Sequence, residues 1–112
     1  MGFAPAPYPA EEDYIVSFSE VDINIDRGVV IRAGSRVVLS RPEFELLKFF
    51  LVNAGRDLSR DAILQAVWSG LADPNTRTVD AHVMRLRRKL EPEPDCPRHF
   101  VTLHKIGYRF QP

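Results

Sequence analysis

The chain has 112 residues, of which 45% are apolar and 27% charged, values that suit one ordinary globular domain. No run approaches the roughly 20 apolar residues of a membrane span, and the start lacks the features of a signal peptide, so we expect a cytoplasmic protein with no membrane partner. The formal net charge is zero, but residues 1–74 hold seven Lys or Arg against eleven Asp or Glu, whereas residues 75–112 hold eight against four, which favours a polyanionic partner for the basic part.

The N-terminal part divides into a tail and a run of short strands. Residues 1–13 are rich in Pro and Ala, then acidic, and lack an apolar period, so we expect a flexible linker or tail before a folded domain at residues 14–112. From Tyr14 to Leu39, the β-type segments YIVSF, VDINI, VVIR and RVVL are separated by turn-prone residues. This pattern predicts an antiparallel sheet built from sequential hairpins.

Two helices are predicted next, because the apolar spacing changes at Ser40. The first helix opens with a capping box from Ser40 to Glu43 and closes at Gly55. The second has Ser59 as its N-cap. The loop SGLADPNT, residues 69–76, then leads from the second helix to a basic stretch.

The basic stretch RTVDAHVMRLRRKL, residues 77–90, contains five cations and a single acid. At about 100° per residue its branched apolar residues fall in one narrow stripe, which must face the core and leaves cations over most of the remaining surface. The stripe consists of Val79, Val83, Leu86 and Leu90. After this helix, RHFVTLHKIGYRF predicts a hairpin with strands at residues 100–103 and 108–110 and a turn marked by Lys105 and Gly107.

Three helices followed by a hairpin, with the third helix basic, indicate an α+β winged helix-turn-helix preceded by the antiparallel sheet. A helix fits the major groove of DNA, where Arg and Lys bind phosphates and guanine edges, and a hairpin tip can reach the adjoining groove. His104, Lys105 and Arg109 add positive charge to the hairpin. We therefore predict a nucleic acid partner; the alternatives are a solvated basic helix and a winged helix that binds an acidic protein instead of DNA.

These same segments resemble the OmpR/PhoB-type effector domain of bacterial two-component response regulators. The recognition helix of that family runs Arg-Thr-Val-Asp-x-His-(Ile/Val)-x-Arg-Leu-Arg, its wing ends Gly-Tyr-Arg-Phe, and LSRPEFELLKFF and SRDAILQAVW extend the likeness across residues 14–111. The resemblance implies sequence-specific double-stranded DNA binding, with helix 77–90 in the major groove and hairpin 98–110 on the adjacent minor groove or backbone. It also implies a four-stranded N-terminal sheet and a short strand near Asp57–Leu58.

The resemblance further implies which side chains meet DNA. On the helix these are Arg77, Thr78, His82, Arg85 and Arg87, with Arg85 and Arg87 as base readers. Beside the wing, phosphate contacts are implied for Thr102 and Tyr108, and by charge and position we add Lys89, His104 and Lys105. Met84 stands where a cation is common, which implies fewer phosphate contacts or an apolar contact with a thymine methyl. His104 stands where many members insert Arg into the minor groove.

Several partners follow from the same resemblance. A receiver domain and a sensor kinase are implied for the full-length protein, the alternative being a natural stand-alone version of the domain. RNA polymerase is implied for the loop before the basic helix, at Leu71, Asp73 and Asn75. Head-to-tail pairing on direct-repeat half-sites is implied as well, and because one core accounts for the apolar residues, we expect a monomer in the absence of DNA.

Enzymatic activity is not expected, because the acidic residues are scattered over helix starts and turns and no acid, base and nucleophile converge. Cys96, His99 and His104 match no zinc spacing well, so neither a metal nor a cofactor is predicted. Cys96 has no second cysteine with which to form an internal disulfide.

Overall fold

The computed structural model describes residues 15–71 and 75–112. These residues divide after Val38 into two compact units. The predicted linker at residues 1–13 lies outside the described residues.

The first unit is an antiparallel sheet in the order β1-β2-β3-β4, as the strand pattern predicted. Apolar and polar residues alternate along β2, where Val21 and Ile23 are buried and Asp22 is exposed. Asp22 also accepts a hydrogen bond from the Ser17 hydroxyl across the β1–β2 pair, at 2.6 Å. The strands are β1 (Ile15–Phe18), β2 (Val21–Asn24), β3 (Val29–Arg32) and β4 (Ser35–Val37).

The second unit contains three helices and a three-stranded antiparallel sheet in the order β5-β7-β6. The short strand implied near Asp57–Leu58 is present one residue later, and the hairpin is formed by β6 and β7. The elements are α1 (Arg41–Val52), β5 (Leu58–Ser59), α2 (Arg60–Trp68), α3 (Thr76–Leu90), β6 (Phe100–Leu103) and β7 (Gly107–Phe110).

The starts of α1 and α2 agree with the signals in the sequence, and α3 starts one residue before the predicted helix. At α1 the Ser40 hydroxyl accepts from the Glu43 backbone N–H at 3.3 Å, and the Glu43 carboxylate accepts from the Ser40 N–H at 2.9 Å, which completes the predicted capping box. The Ser59 hydroxyl caps α2. At α3 the cap is Asn75, whose side-chain oxygen accepts from the Arg77 N–H at 2.8 Å.

The core of the second unit forms around α3. The predicted stripe of Val79, Val83, Leu86 and Leu90 is fully buried. The ring of Phe100 lies 5.6 Å from that of Phe50 on α1, so the core also joins β6 to the helices. Burying four branched side chains, at about 1.5–3 kcal/mol each, fixes which face of α3 points outward.

Candidate nucleic-acid interface

The outward face of α3 carries exposed cations. Arg77, Arg85 and Arg88 are exposed and lie away from the buried stripe, and Met84 between them is 50% exposed. The last turn of α3 is basic as well, which suits the negative end of the helix dipole. Because the opposite face is buried in the core, these arginines give the outward side of α3 a largely positive surface.

His82 lies at the edge of that surface and is held from two sides. Its ring packs edge-on against Trp68, with centroids 4.9 Å apart. Nδ1 lies 2.8 Å from the Thr78 carbonyl oxygen, and Nε2 lies 3.4 Å from an Arg85 guanidinium nitrogen. With a hydrogen on Nδ1, that nitrogen donates to the carbonyl and Nε2 can accept from the arginine. His82 thus lies within hydrogen-bonding reach of Arg85.

Arg87 differs from the exposed arginines because its guanidinium has partners inside the protein. Nε and Nη2 donate to the Phe100 carbonyl oxygen at 2.9 and 2.6 Å, and Nη2 donates to the Thr102 hydroxyl at 2.7 Å. The side chain is half-buried, and this burial lowers the pKa of Arg87 from its ordinary value. Arg87 therefore ties α3 to the first strand of the wing.

Asp80, the acid in the basic helix, forms a second tie. One oxygen accepts from the Tyr108 hydroxyl at 2.6 Å and from Arg60 Nε at 2.8 Å, so α3 is joined to β7 and to the start of α2. Guanidinium groups of Arg60 and Arg87 also lie over the Tyr108 ring, at 5.4 and 5.7 Å from its centroid.

These contacts shift the pKa values of Asp80 and Tyr108. Burial alone would raise the pKa of Asp80, but the hydrogen bonds from Tyr108 and Arg60 outweigh it, so the pKa lies below its ordinary value. Burial, together with the hydrogen bond to Asp80, raises the pKa of Tyr108. The Tyr108 hydroxyl hydrogen is therefore committed to the Asp80 carboxylate.

Lys89 joins the end of α3 to the start of α1. Its ammonium lies 2.7 Å from a carboxylate oxygen of Glu43, the buried acid of the capping box. Burial raises the pKa of Glu43, whereas the hydrogen bonds from Lys89 and Ser40 lower it more, and the net direction is downward. Lys89 itself is partly exposed, and an ammonium carries three N–H donors.

The wing presents a short exposed tip. His104, Lys105 and Ile106 are exposed, and a hydrogen bond of 3.0 Å from the Ile106 N–H to the Leu103 carbonyl closes the turn. Lys105 has φ +64°, a left-handed conformation that directs the chain back into β7. At the base of β7, a Cβ added to Gly107 would overlap the backbone carbonyl of Leu58, so β7 lies closer to β5 there than any other residue allows.

The structure thus places the expected site residues in two groups. Exposed or partly exposed on the outward surface are Arg77, Thr78, His82, Arg85, Thr102, His104 and Lys105. Bound within the protein are Arg87, Lys89 and Tyr108. Sequence reasoning missed Asp80 and Arg60 as the residues that join the wing to the helices. The sequence signal for these contacts was Asp80 itself, the single acid in the basic stretch at residues 77–90.

Glu91 was also missed. This residue, at the C-cap of α3, is 1% exposed, and its carboxylate accepts three backbone N–H groups at 2.8 to 3.1 Å. The donors are Arg98, His99 and Phe100, so Glu91 fixes the entry into β6. In the sequence it belongs to the segment EPEPDCP, whose prolines indicate only that the helix ends.

The expected polymerase-binding loop is described only at its two ends. Leu71 is 48% exposed, and Asn75 is exposed but also caps α3. Asp73 lies outside the described residues. Across residues 15–71 and 75–112, no cluster of three or more His, Cys, Asp or Glu side chains could hold a metal ion, and no helix in those ranges is long and apolar enough to span a membrane.

Comparison with known proteins identifies the family. Residues 34–110 match the family described as transcriptional regulatory protein, C terminal. The chain belongs to this family. The sensory transduction protein RegX3 of Mycolicibacterium smegmatis is 35% identical over 100 residues, which cover 89% of this chain and 44% of that protein. The chain therefore spans about half the length of the curated relatives it matches.

Two solved structures show the same architecture. The response regulator DrrB of Thermotoga maritima, an OmpR/PhoB homolog, matches with a TM-score of 0.79 and 32% identity, over 88% of this chain and 44% of that one. The DNA-binding domain of Klebsiella pneumoniae RstA, in complex with the RstA box, matches with a TM-score of 0.74 and 30% identity, over 88% of this chain and 97% of that one. The fold is the OmpR/PhoB winged helix that the sequence predicted.

Proposed function

We propose that this chain binds double-stranded DNA sequence-specifically, as the output domain of a transcriptional response regulator. In this proposal α3 enters the major groove and the wing meets the adjacent minor groove or backbone. The observation that carries it is the outward surface of α3, where Arg77, Arg85 and Arg88 are exposed on a helix whose other face is fixed in the core. Membership of a family of transcriptional regulators supports the same function.

Within this proposal, Arg85 is the main base reader. Arg85 is exposed and lies beside His82 on the outward surface, and a guanidinium can make the two parallel hydrogen bonds that a guanine edge accepts. Arg77 and Thr78 at the start of α3, and Thr102, His104 and Lys105 on the wing, are suited by position to phosphate and sugar contacts.

For Arg87 and Tyr108 we propose a positioning role in place of the DNA contacts that the family resemblance implied. Arg87 commits Nε and both hydrogens of Nη2 to β6, so it lacks the paired donors that a guanine edge requires while those bonds persist. Tyr108 donates its hydrogen to Asp80 and has none left for a phosphate. For Lys89, whose side chain is 36% exposed, we retain a phosphate contact alongside its pairing with Glu43.

The remaining partners are proposals on family grounds. We infer a receiver domain and a sensor kinase in the full-length protein, a cytoplasmic location, and head-to-tail pairing on direct-repeat half-sites by a domain that is monomeric without DNA. Contact with RNA polymerase is proposed for the loop before α3. There, replacing Leu71 should reduce transcriptional activation, if the protein is an activator, without changing operator affinity, because Leu71 is exposed and lies outside α3.

Selection from random DNA, followed by salt titration, tests the main proposal. We expect enrichment of a defined site, and an affinity for it that falls between about 50 and 200 mM salt with a slope near −0.9 per phosphate neutralised. Scrambled DNA should bind at least about a thousandfold more weakly than the selected site. Failure to enrich any site, with capture of an acidic protein instead, would favour the protein-binding winged helix.

A further inference from the structure

Met84 is out of place on the surface that the proposed function assigns to DNA. It is 50% exposed, so it is not a core residue, and it lies on a helix whose other outward side chains are largely cationic. A phosphate gains nothing from a thioether, and neither the sulfur nor the methylene groups can donate a hydrogen bond to a base. Met84 therefore cannot make the phosphate contacts or base hydrogen bonds that are open to the arginines around it.

The helix geometry gives Met84 an apolar neighbour. Ala81 precedes it by three residues, which places the two side chains next to each other on one face of α3. At about 100° per residue, both lie on the side away from the buried stripe, and Ala81 is almost opposite its centre. Ala81, which is partly exposed, and Met84, which is exposed, thus form a small apolar patch on the outward side of α3.

Arginines surround this patch. Arg77 and Arg85 lie one turn before and one turn after Ala81, and Arg88 lies one turn after Met84. All three are exposed. This positive border fits a polyanionic ligand and opposes a purely apolar or basic protein surface, so the patch and its border together point to DNA. In the major groove, the apolar group available to such a patch is the 5-methyl of thymine.

We propose that Ala81 and Met84 form a contact for a thymine 5-methyl group, and that Met84 determines specificity for thymine at one position of each half-site. This inference rests on the proposed function, since it requires α3 to lie in the major groove. Met84 suits the task because its flexible, polarizable side chain can adjust to the methyl group while the flanking arginines hold the backbone and the guanine edge.

Uracil substitution tests the contact directly, because uracil differs from thymine only by the missing methyl. The thymines of a selected half-site are replaced one at a time, and affinity is measured by fluorescence anisotropy at fixed salt. For the parent chain, uracil at one thymine should weaken binding by about fourfold, the effect expected from one methyl group taken out of water. In Met84→Ala the ratio between thymine and uracil at that position should fall close to one.

Three further variants separate apolar recognition from general effects. Met84→Leu should retain the thymine preference, since it keeps an apolar side chain of similar size. Met84→Lys should lose the preference while its salt slope becomes steeper by about one unit. Val52→Ala removes a side chain that is 81% exposed on α1, and it should leave the thymine-to-uracil ratio unchanged.

Two results would overturn the inference while leaving DNA binding intact. One is a uracil scan in which no thymine of the site matters to the parent chain, and the other is an equal thymine-to-uracil ratio in the parent and in Met84→Ala. Complete absence of site selection would instead overturn the proposed function, and this inference with it.

Discussion

Arginines on two sides of α3 have different environments although they share one short segment. Arg77, Arg85 and Arg88 point away from the core and are exposed, whereas Arg87 is half-buried and donates three hydrogen bonds to β6. The positive charge of a recognition helix therefore does not identify its DNA contacts. We infer that the atoms each guanidinium already binds inside the protein decide whether it contacts DNA or holds the DNA-facing surface in place.

The residues whose side chains bind inside the protein are here called the inner group: Asp80, Arg87, Lys89, Glu91 and Tyr108. Substitution of Glu91 should have the largest effect among them. Glu91→Ala would leave three backbone N–H groups without their carboxylate, two of them buried, and at about 1–3 kcal/mol for each buried unsatisfied group we expect a loss of about 2 kcal/mol or more. Urea denaturation measures this change in the free energy of unfolding. Glu93→Ala, which removes an exposed acid two residues away, should change stability by less than about 0.5 kcal/mol. Similar midpoints for the two variants would refute the role of Glu91.

Arg85 and Arg87 allow the sharpest comparison of the two groups. Arg85→Ala should cost about 1–3 kcal/mol of binding on the selected site and far less on scrambled DNA, with an unchanged melting temperature, because it removes a base contact. Arg87→Ala should lower the melting temperature and weaken both DNAs alike, because it releases the wing from α3. Anisotropy on both DNAs, combined with thermal unfolding, separates the outcomes. A selective loss of specificity in Arg87→Ala would return Arg87 to the base readers.

Lys89 and Arg88 are adjacent, but Lys89 is bound to Glu43 inside the protein whereas Arg88 is exposed. Removing either cation should reduce the salt slope by about one unit, because we propose that Lys89 neutralises one phosphate and expect the exposed Arg88 to neutralise another. Lys89→Ala should in addition lower the free energy of unfolding by about 1 kcal/mol, because buried Glu43 loses a charged partner. Arg88→Ala should leave stability unchanged. If Lys89→Ala lowers stability but leaves the salt slope intact, Lys89 belongs wholly to the inner group.

The smallest expected effect is on the free energy of unfolding at acid pH. The folded-state pKa lies below the ordinary value of 3.8 for Asp80 and of 4.5 for Glu43. Each carboxylate therefore stabilises the fold above those values, and that contribution is lost as the pH falls through the lower folded-state pKa. The urea concentration at the unfolding midpoint is measured from neutral pH to about pH 2. In the parent it should decrease once the pH drops below 4.5, and in Asp80→Asn it should decrease less steeply. Parallel profiles would mean that Asp80 contributes nothing to this loss.

Local patterns predicted the outward surface well and the inner group poorly. The buried stripe of α3 follows from residue spacing alone, and the capping box from a four-residue motif, so both were predicted and are confirmed. The hydrogen bond between Asp80 and Tyr108 joins residues 28 positions apart, and that between Arg87 and Thr102 joins residues 15 apart. No local period encodes such pairs, because they exist only after the wing has folded back on α3.

The short strand β5 could not be predicted from a local sequence pattern either. It contains two residues, Leu58 and Ser59, too few for an alternating pattern to be recognised, and only the family resemblance implied it. Its pairing with β7 depends on Gly107, which the sequence marked as a turn residue and the structure shows to be a point of close backbone approach.

The close approach of β7 to β5 limits how far the wing can move relative to α3. With the Gly107 backbone pressed against Leu58, and with Tyr108 and Arg87 bound to α3 and β6, the wing tip and the recognition helix are held at one separation. In the proposed complex, that separation must match the distance from a major groove to the neighbouring minor groove. DNA of a different groove width would have to deform to fit, at a free-energy cost that depends on base pairs the protein never touches.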